Sequence, residues 1–556
     1  MEASAGPAAP TSRASGSAQG TVRRLIVYTI LFALVTIAAI GVAGLLERLL
    51  GFGSEFVSGG TADLARSLAF ALIGGPLAAV LWWAVWRRLR DESERTSLAW
   101  GLYVASMCAV ALIVATSALV GTATALVDER WQADTFATGV VWALVWVWHR
   151  WMWRHPVNRP VRLRTVPGVI GTVFGLIIGA AGAVFALGAL FDMAIRGALE
   201  PAIAGGPWWD APVDGAIWAV AGAAIWWWHW YREGALHLHT RFAGVGLVVV
   251  GVGGGAVLML GGLGTGLWVG LRLAFDPGES AGEVLRPLGT ALASGLVGAA
   301  VWTYHHHVAT HRDCTRRPST LVMSGVGLIA AASGIGVVVS AALAEFVSPL
   351  AASDSRSLLL GGISALVVGG TAWWFSWKPL AGTDPAEIAF PGRRVYLIAV
   401  FGLSAVVALV ALLVVGFRVF EFGLDANTGG SLVDRVRGPL GVLVAAGLVF
   451  GYHFTVWRHD RAIMAAAGLS SERRIGRVFL VAAGDVATLE RAIADATRAS
   501  VTVWQRAAEP AAEHRTVPHT APDPAAVVAA LDGVAGRRVL VIAGPGDRVE
   551  IVPLAD

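Results

Sequence analysis

The chain has 556 residues, of which 56% are hydrophobic and only 14% charged, with a formal net charge of +4. Those proportions cannot be arranged as an ordinary water-soluble domain, and they place the protein in the membrane class. The small positive excess is what basic membrane-facing loops require, through topology and attraction to anionic headgroups, so nucleic-acid binding is not needed to explain it.

Residues 1–21 are mostly Ala, Gly, Ser and Pro and bury too little to offset ordering entropy, so a disordered tail is expected. Arg23 and Arg24 then open the first of about twelve apolar runs, each able to cross a ~30 Å hydrocarbon core as helix. That run is too long for the core of a cleaved signal peptide and lacks a small-residue cleavage site, which favours an uncleaved first helix. Paired as hairpins, the runs are 25–48 with 64–87, 98–126 with 134–153, 166–194 with 212–231, 242–274 with 285–307, 320–347 with 356–378, and 394–420 with 433–457. Unpaired backbone groups are too costly in lipid and no alternating barrel pattern is present, so every run is assigned as helix. The fold class is therefore an all-α polytopic membrane protein, with about twelve transmembrane helices arranged as six tandem hairpins. The transmembrane domain covers 22–460, divided approximately at 22–92, 96–156, 162–234, 240–312, 318–380 and 392–460.

Beyond about Arg474 polar residues return and the apolar runs shorten to strand length, giving a small C-terminal α/β domain over 474–556. Strands are expected at Val478–Ala482 and Val501–Gln505, and helices at Asp485–Arg498 and Pro524–Leu531. Pro510–Pro522 reads as a loop, and Arg538–Ala543 with Val549–Pro553 as a hairpin turned at Gly544-Pro545-Gly546-Asp547.

Basic residues are retained on the cytoplasmic side of short loops. Arg87, Arg88, Arg90 and Arg95, then Arg150, Arg154, Arg159, Arg162 and Arg164, then Arg312, Arg316 and Arg317, and finally Lys378, Arg393 and Arg394 mark one set of loops. The opposite set holds Asp128, Glu129, Asp210, Asp214, Asp276, Glu279, Asp354, Glu421 and Asp425. Both termini are thus expected in the cytoplasm of a bacterial cell, the chain crossing its inner (plasma) membrane many times. Arg435 and Arg437 break the pattern and leave the last hairpin least constrained.

Alternate runs end on a short signature, an aromatic residue followed three positions later by His or Trp. The copies are Trp83/Trp86, Trp146/His149, Trp226/His229, Trp302/His305, Trp374/Trp377 and the degenerate Phe450/His453. They lie roughly 60–80 residues apart, the mark of a repeated supersecondary unit. Spacing of three puts both rings on one helix face. The plain explanation is an interfacial aromatic belt or a packing contact between hairpins. The alternative is haem or metal ligation, for which the densest set is His305, His307 and His311; no carboxylate-rich or CxxC partner completes it, and two copies carry Trp instead. No cofactor is assigned on this pattern.

Other chemistries fail on residue supply. The sole lysine, Lys378, lies in Trp377-Lys378-Pro379, so there is no phosphate-binding loop, and no GxSxG, HExxH or nucleotide-binding GxGxxG is present. Cys108 and Cys314 have no CxxC partners and read as free thiols. Ionisable residues within the runs, Glu47, Asp192, Arg196, Glu345 and Arg418, cluster near one boundary and avoid the midplane where ion-coupled carriers keep them. Gly251/Gly255, Gly262/Gly266 and Gly266/Gly270 have the spacing that lets helix backbones approach closely in lipid.

The hairpin endings Ala143-Leu-Val-Trp-Val-Trp-His149-Arg150 and Ala224-Ile-Trp-Trp-Trp-His229-Trp-Tyr-Arg232 resemble an uncharacterised bacterial multi-pass family, domain of unknown function 5671, whose hairpins occur in tandem. The resemblance implies an arrangement over most of 22–460 and no activity. The expected role is a non-catalytic membrane scaffold or interaction module, with the lipid bilayer as solvent and residues 474–556 sensing or recruiting a cytoplasmic protein. A transporter or channel for an apolar or small solute is the alternative, and a haem- or metal-binding membrane protein using the repeat histidines the second alternative.

Overall fold

The computed structural model describes residues 12–51, 60–199, 207–276, 278–345, 352–382, 384–424, 431–467, 475–482, 486–497, 499–505, 523–531, 534, 538–544 and 549–554. The chain divides into two compact units, residues 1–377 with 408–445, and residues 378–407 with 446–556.

Long helices dominate: α1 Ser12–Leu50, α2 Thr61–Arg88, α3 Leu98–Val127, α4 Ala133–Arg154, α5 Val166–Leu199, α6 Asp210–Trp227, α7 Arg241–Phe275 and α8 Leu288–Thr310. They continue with α9 Asp313–Glu345, α10 Ala352–Trp377, α11 Pro391–Leu424 and α12 Leu432–Ala466. Among the described residues, ten of these segments are long and apolar enough to cross a membrane. The other two, α4 and α6, are rich in tryptophan and carry aspartate in their first turns, which lowers their hydropathy even though the indole body is mostly apolar. Helix boundaries fall close to those expected because the apolar runs end at charged or Gly/Pro-containing segments. One difference lies at the start, where α1 begins at Ser12, inside the stretch expected to be disordered. Ala-containing sequence there extends a helix already nucleated by the long apolar run, since adding residues to an existing helix is far cheaper than starting one.

Sequential helices pack against one another, α3 with α4, α5 with α6, α7 with α8 and α9 with α10, while α1 packs along α2 and also against α4. The seams are built from glycine. A Cβ at Gly222 of α6 would collide with the Gly179 nitrogen of α5, and one at Gly175 would collide with the Trp226 nitrogen. Gly262 of α7 meets the backbone of Gly295 in α8 in the same way. The expected glycine pairs are therefore only partly in the seam. Gly251, Gly255 and Gly262 face α8, whereas Gly266 and Gly270 have nothing within 4 Å. The last two glycines of the run are therefore outside the contact, Gly270 being exposed. Among the described residues three π-helical stretches occur, Phe70–Gly74 within α2, Trp228–Arg232 directly after α6 and Gly246–Gly254 within α7. A π turn shifts the facing stripe by one residue, which realigns a long helix on its partner.

The C-terminal sequence forms a four-stranded sheet from β1 Arg477–Ala482, β2 Ser500–Gln505, β3 Arg538–Ala543 and β4 Val549–Leu554, in the order β2-β1-β3-β4. β1 runs parallel to both β2 and β3, and β4 returns antiparallel to β3, with Val541 opposite Ile551. Alternate side chains Val478, Leu480, Val539 and Val541 are fully buried with Leu489 and Ile493 of α13 (Ala487–Thr497) and Val527 and Leu531 of α14 (Pro524–Leu531). This period-two burial is the pattern of strands with one face on the core. The expected Pro510–Pro522 loop and the turn residues Pro545–Asp547 lie outside the described residues.

Gly222→Leu should force α5 and α6 apart and lower stability by about 1–3 kcal/mol, whereas Gly266→Ala should change it by no more than about 1 kcal/mol. Thermal unfolding in detergent, read side by side for the two variants, checks the assignment; equal losses would place Gly266 in the seam.

Candidate functional site

Each copy of the signature lies toward one end of its own helix, and in four of them the histidine makes the same hydrogen bond. His149, His229, His305 and His453 are all buried, and in each the Nδ1–H donates to the carbonyl four residues earlier: Val145 at 2.8 Å, Ile225 at 2.9 Å, Val301 at 2.8 Å and Val449 at 2.9 Å. This fixes the ring against its own helix and sets it beside the first helix of the same hairpin. There the ring finds a tyrosine or a glycine. Tyr103 donates its hydroxyl to His149 Nε2 at 2.9 Å, and the rings of Tyr396 and His453 are 6.1 Å apart. In the third and fourth hairpins the partner is an absent side chain, since a Cβ at Gly171 would collide with the His229 ring, and one at Gly251 would come within 2.7 Å of His305.

The first residue of the signature has no such common role. Trp83 and Trp374 are more than half exposed on the apolar exterior, with Arg87 lying 3.9 Å over the Trp83 ring. Trp226 packs edge-on against Tyr304 and His305 of the next hairpin, while Trp302 stacks on His306 at 4.8 Å. Arg150 sits over Trp146 at 5.5 Å. Trp86 stands in the histidine position and stacks on Trp151 of the second hairpin at 5.2 Å; Trp377, in the same position of the fifth, is buried. The signature is thus a contact within the hairpin where its second residue is histidine, while Trp86 in that position reaches the next hairpin.

The three histidines considered for metal binding are not brought together as a set. His305 faces inward among Trp226 and Trp230, whereas His307 and His311 are exposed, their rings 4.2 Å apart and His311 Nδ1 tied to the His307 carbonyl at 2.7 Å. Among the described residues no three His, Cys, Asp or Glu side chains form a group able to hold a metal ion.

Charged residues near these ends pair with one another and with loop carbonyls. Glu233, its side chain 1% exposed, receives Arg150 Nε at 3.0 Å and Arg154 Nη2 at 3.1 Å on one oxygen, along with Trp228 Nε1 at 3.2 Å. Its other oxygen is 3.7 Å from His229 Nε2. The carboxylate therefore clips the second hairpin to the third. Arg312 does the same for the third and fourth hairpins, donating to the carbonyls of Leu236 and Leu238. Within the last hairpin Arg393 holds Asp460 through two bonds of 2.9 and 2.8 Å. Arg24 Nε of the first hairpin bonds Glu94, in the segment that follows that hairpin, at 3.0 Å. Glu94 is presented by the short helix Glu92–Arg95, capped by Asp91. The Ser93 backbone N–H and hydroxyl hold the Asp91 carboxyl below the usual carboxylate range, so this cap persists at neutral pH and is lost as pH falls through that lowered value. The acidic partners Glu94, Glu233 and Asp460 are absent from the sequence-derived candidates; as single acids in basic segments they carry no spacing signal.

Away from this end, open depressions lie between the helices. A groove of about 760 Å³ runs between α5 and α7, and a second apolar one of about 420 Å³ lies between α7 and the α9/α10 pair. A polar pocket of about 380 Å³ sits at the opposite end between the first two hairpins, lined by Glu47, Arg48, Asp63, Arg66 and Asp134.

Long apolar helices with charge confined to their ends define a multi-pass helical membrane protein. Residues 24–138 and 317–448 match the family described as Domain of unknown function (DUF5671), so the resemblance read from the sequence is found in two separate regions. The match is narrower than the expected 22–460, and the two endings that suggested it, at 143–150 and 224–232, lie outside it. No curated protein and no solved structure matches the chain.

Glu233→Gln should cost about 1.5–3 kcal/mol, the worth of hydrogen bonds to a charged group, with the half-exposed Arg154 keeping the value toward the lower end. Arg87→Gln, which removes an exposed cation resting on the exposed Trp83 ring, should cost no more than about 1 kcal/mol. Melting temperatures in one detergent check both, and a neutral Glu233→Gln would remove the clip.

Proposed function

We propose that the protein is a non-catalytic scaffold or interaction module of the bacterial inner membrane. In this reading all twelve helices cross, as six tandem hairpins, with both termini in the cytoplasm and the C-terminal sheet domain sensing or recruiting a cytoplasmic protein. The observation that carries it is the distribution of charge. In the described helices, ionisable side chains lie near the helix ends, from Arg24 and Glu47 in α1 to Asp434 and Asp460 in α12. The seams between hairpin partners are filled by glycine backbones and locked rings. Such a body is suited to rigid presentation more than to alternating access, which needs ionisable or unwound elements at the midplane. The topological argument for α4 and α6 is that basic residues follow the signature at their ends, as they do after α2.

The alternative, a transporter or channel for a small solute, draws its support from the polar pocket lined by Glu47, Arg48, Asp63, Arg66 and Asp134. The exposed His307/His311 pair is what remains to support metal or haem binding.

Removing residues 474–556 and comparing quantitative partner profiles after affinity purification should delete a discrete set of proteins while the membrane domain still purifies. An unchanged profile would sink the recruitment role. Solute flux through proteoliposomes containing the full chain should match that of empty vesicles; a selective flux would favour the transporter.

A further inference from the structure

The groove between α5 and α7, about 760 Å³ in volume, has one wall made from a single face of α5, on which Leu176, Ala180, Val184 and then Asp192 and Arg196 recur at helical spacing. The other wall is Val250, Gly254, Val257 and Leu258 of α7, with Thr290 and Val301 of α8 between them. From Leu176 to Arg196 the α5 wall extends ~30 Å at 1.5 Å per residue, the thickness of a hydrocarbon core. Its rim residues Ile177, Phe185 and Val257 are each more than half exposed, so in a membrane this groove opens sideways to acyl chains.

The polarity of the groove is confined to one end. There Asp192 rests against Gly289 in the first turn of α8, so closely that a Cβ at 289 would collide with its carboxylate. One turn further along α5, the exposed Arg196 turns its Nε to the Asp192 carbonyl at 3.3 Å and not to its carboxylate. The groove thus ends in an anion and a cation, one helical turn apart, beside a hydroxyl from Thr290. Their net charge is zero, which gives no general attraction for an anionic headgroup. A headgroup carrying its own phosphate and its own ammonium matches them in pairs, phosphate to Arg196 and ammonium to Asp192. A primary ammonium can donate hydrogen bonds to the carboxylate, whereas a quaternary one cannot.

We propose that this groove is a binding site for a single zwitterionic phospholipid with a primary-amine headgroup, of the phosphatidylethanolamine class. Its acyl chain lies along Ala180, Val184 and Gly254, and its headgroup is held by Asp192 and Arg196 on the side of the membrane opposite the signature. The small residues on both walls leave the chain its room. The site is independent of the scaffold role and stands or falls separately from it.

Gly254 supplies the decisive variant, because a Cβ there meets nothing within 4 Å and so enters the groove without displacing protein atoms. The full-length protein, purified in mild detergent and reloaded from vesicles of phosphatidylethanolamine, phosphatidylcholine or phosphatidylglycerol, is examined by native mass spectrometry. One ethanolamine lipid per chain is expected to be retained, at least about ten-fold in preference to the choline lipid, a difference of about 1.4 kcal/mol. Gly254→Phe should abolish that occupancy. Asp192→Asn should level the ethanolamine and choline lipids, and Arg196→Gln should weaken all three. Circular dichroism and gel filtration report whether each variant is folded; should Gly254→Phe not fold, the two headgroup variants, which change no packing volume appreciably, decide the matter. Equal retention of ethanolamine and choline lipids by the unaltered protein would overturn the proposal. So would undiminished occupancy in folded Gly254→Phe or in both headgroup variants, or a groove covered by a second copy of the chain, seen as a dimer without bound lipid.

Discussion

Two helices surrounded by acyl chains gain little from hiding leucine, because the lipid is as apolar as the side chain. What remains to hold them is close van der Waals contact, and this chain obtains it by bringing backbones together at glycine. The approach of Gly222 to Gly179 and of Gly262 to Gly295 leaves no space for a Cβ. Everything else at the seams is arranged around that distance. The histidine of each third- and fourth-hairpin signature fits only because Gly171 or Gly251 stands opposite it. Where the facing residue is Tyr103, the contact becomes a hydroxyl donated to the ring. Turning Nδ1 back to the helix carbonyl satisfies a polar atom that would otherwise be buried without a partner, which is the condition for keeping histidine at such a position.

The arginines at the signature end have two physical roles. As cations in short loops they carry the orientation that we propose. As long donors they reach between hairpins, Arg150 and Arg154 to Glu233 and Arg312 to the carbonyls of Leu236 and Leu238. A buried ion pair adds little net stability when both partners must be desolvated, but losing one partner is expensive. These clips join neighbouring hairpins at single points, and their weight lies in the cost of leaving one buried partner unpaired. The third-hairpin site combines both devices, for His229 is locked at Ile225 and faces Glu233 at 3.7 Å.

Much of the fold was legible because two constraints are nearly one-dimensional. Hydrocarbon thickness fixes how long a helix must be, and lipid forbids an unpaired backbone, so apolar runs such as 98–126 and 242–274 appear as α3 and α7 with ends displaced by a residue or so. Strand alternation at Val478–Ala482 was readable for a similar reason, one face being core. The signature placed its residues near helix ends and said little of their contacts. Trp83 and Trp226 look alike in sequence, yet one is mostly exposed and the other packs against a neighbouring hairpin. Likewise Gly262 and Gly266 share a motif, and only Gly262 is in contact. A spacing rule gives the face of a helix and cannot say how far along that face the neighbour remains close.

The amino-acid sequence by itself determined the apolar, multi-pass character of this protein and the approximate limits of its long helices, because each follows from local apolarity measured against the thickness of a bilayer. The tertiary structure alone decided which glycines touch, the shared conformation of the four histidines and the acidic partners of the rim arginines. It also decided the lateral groove that ends in Asp192 and Arg196. Those features depend on where two helices cross and diverge, and crossing is a property of paired surfaces that no single run of residues contains.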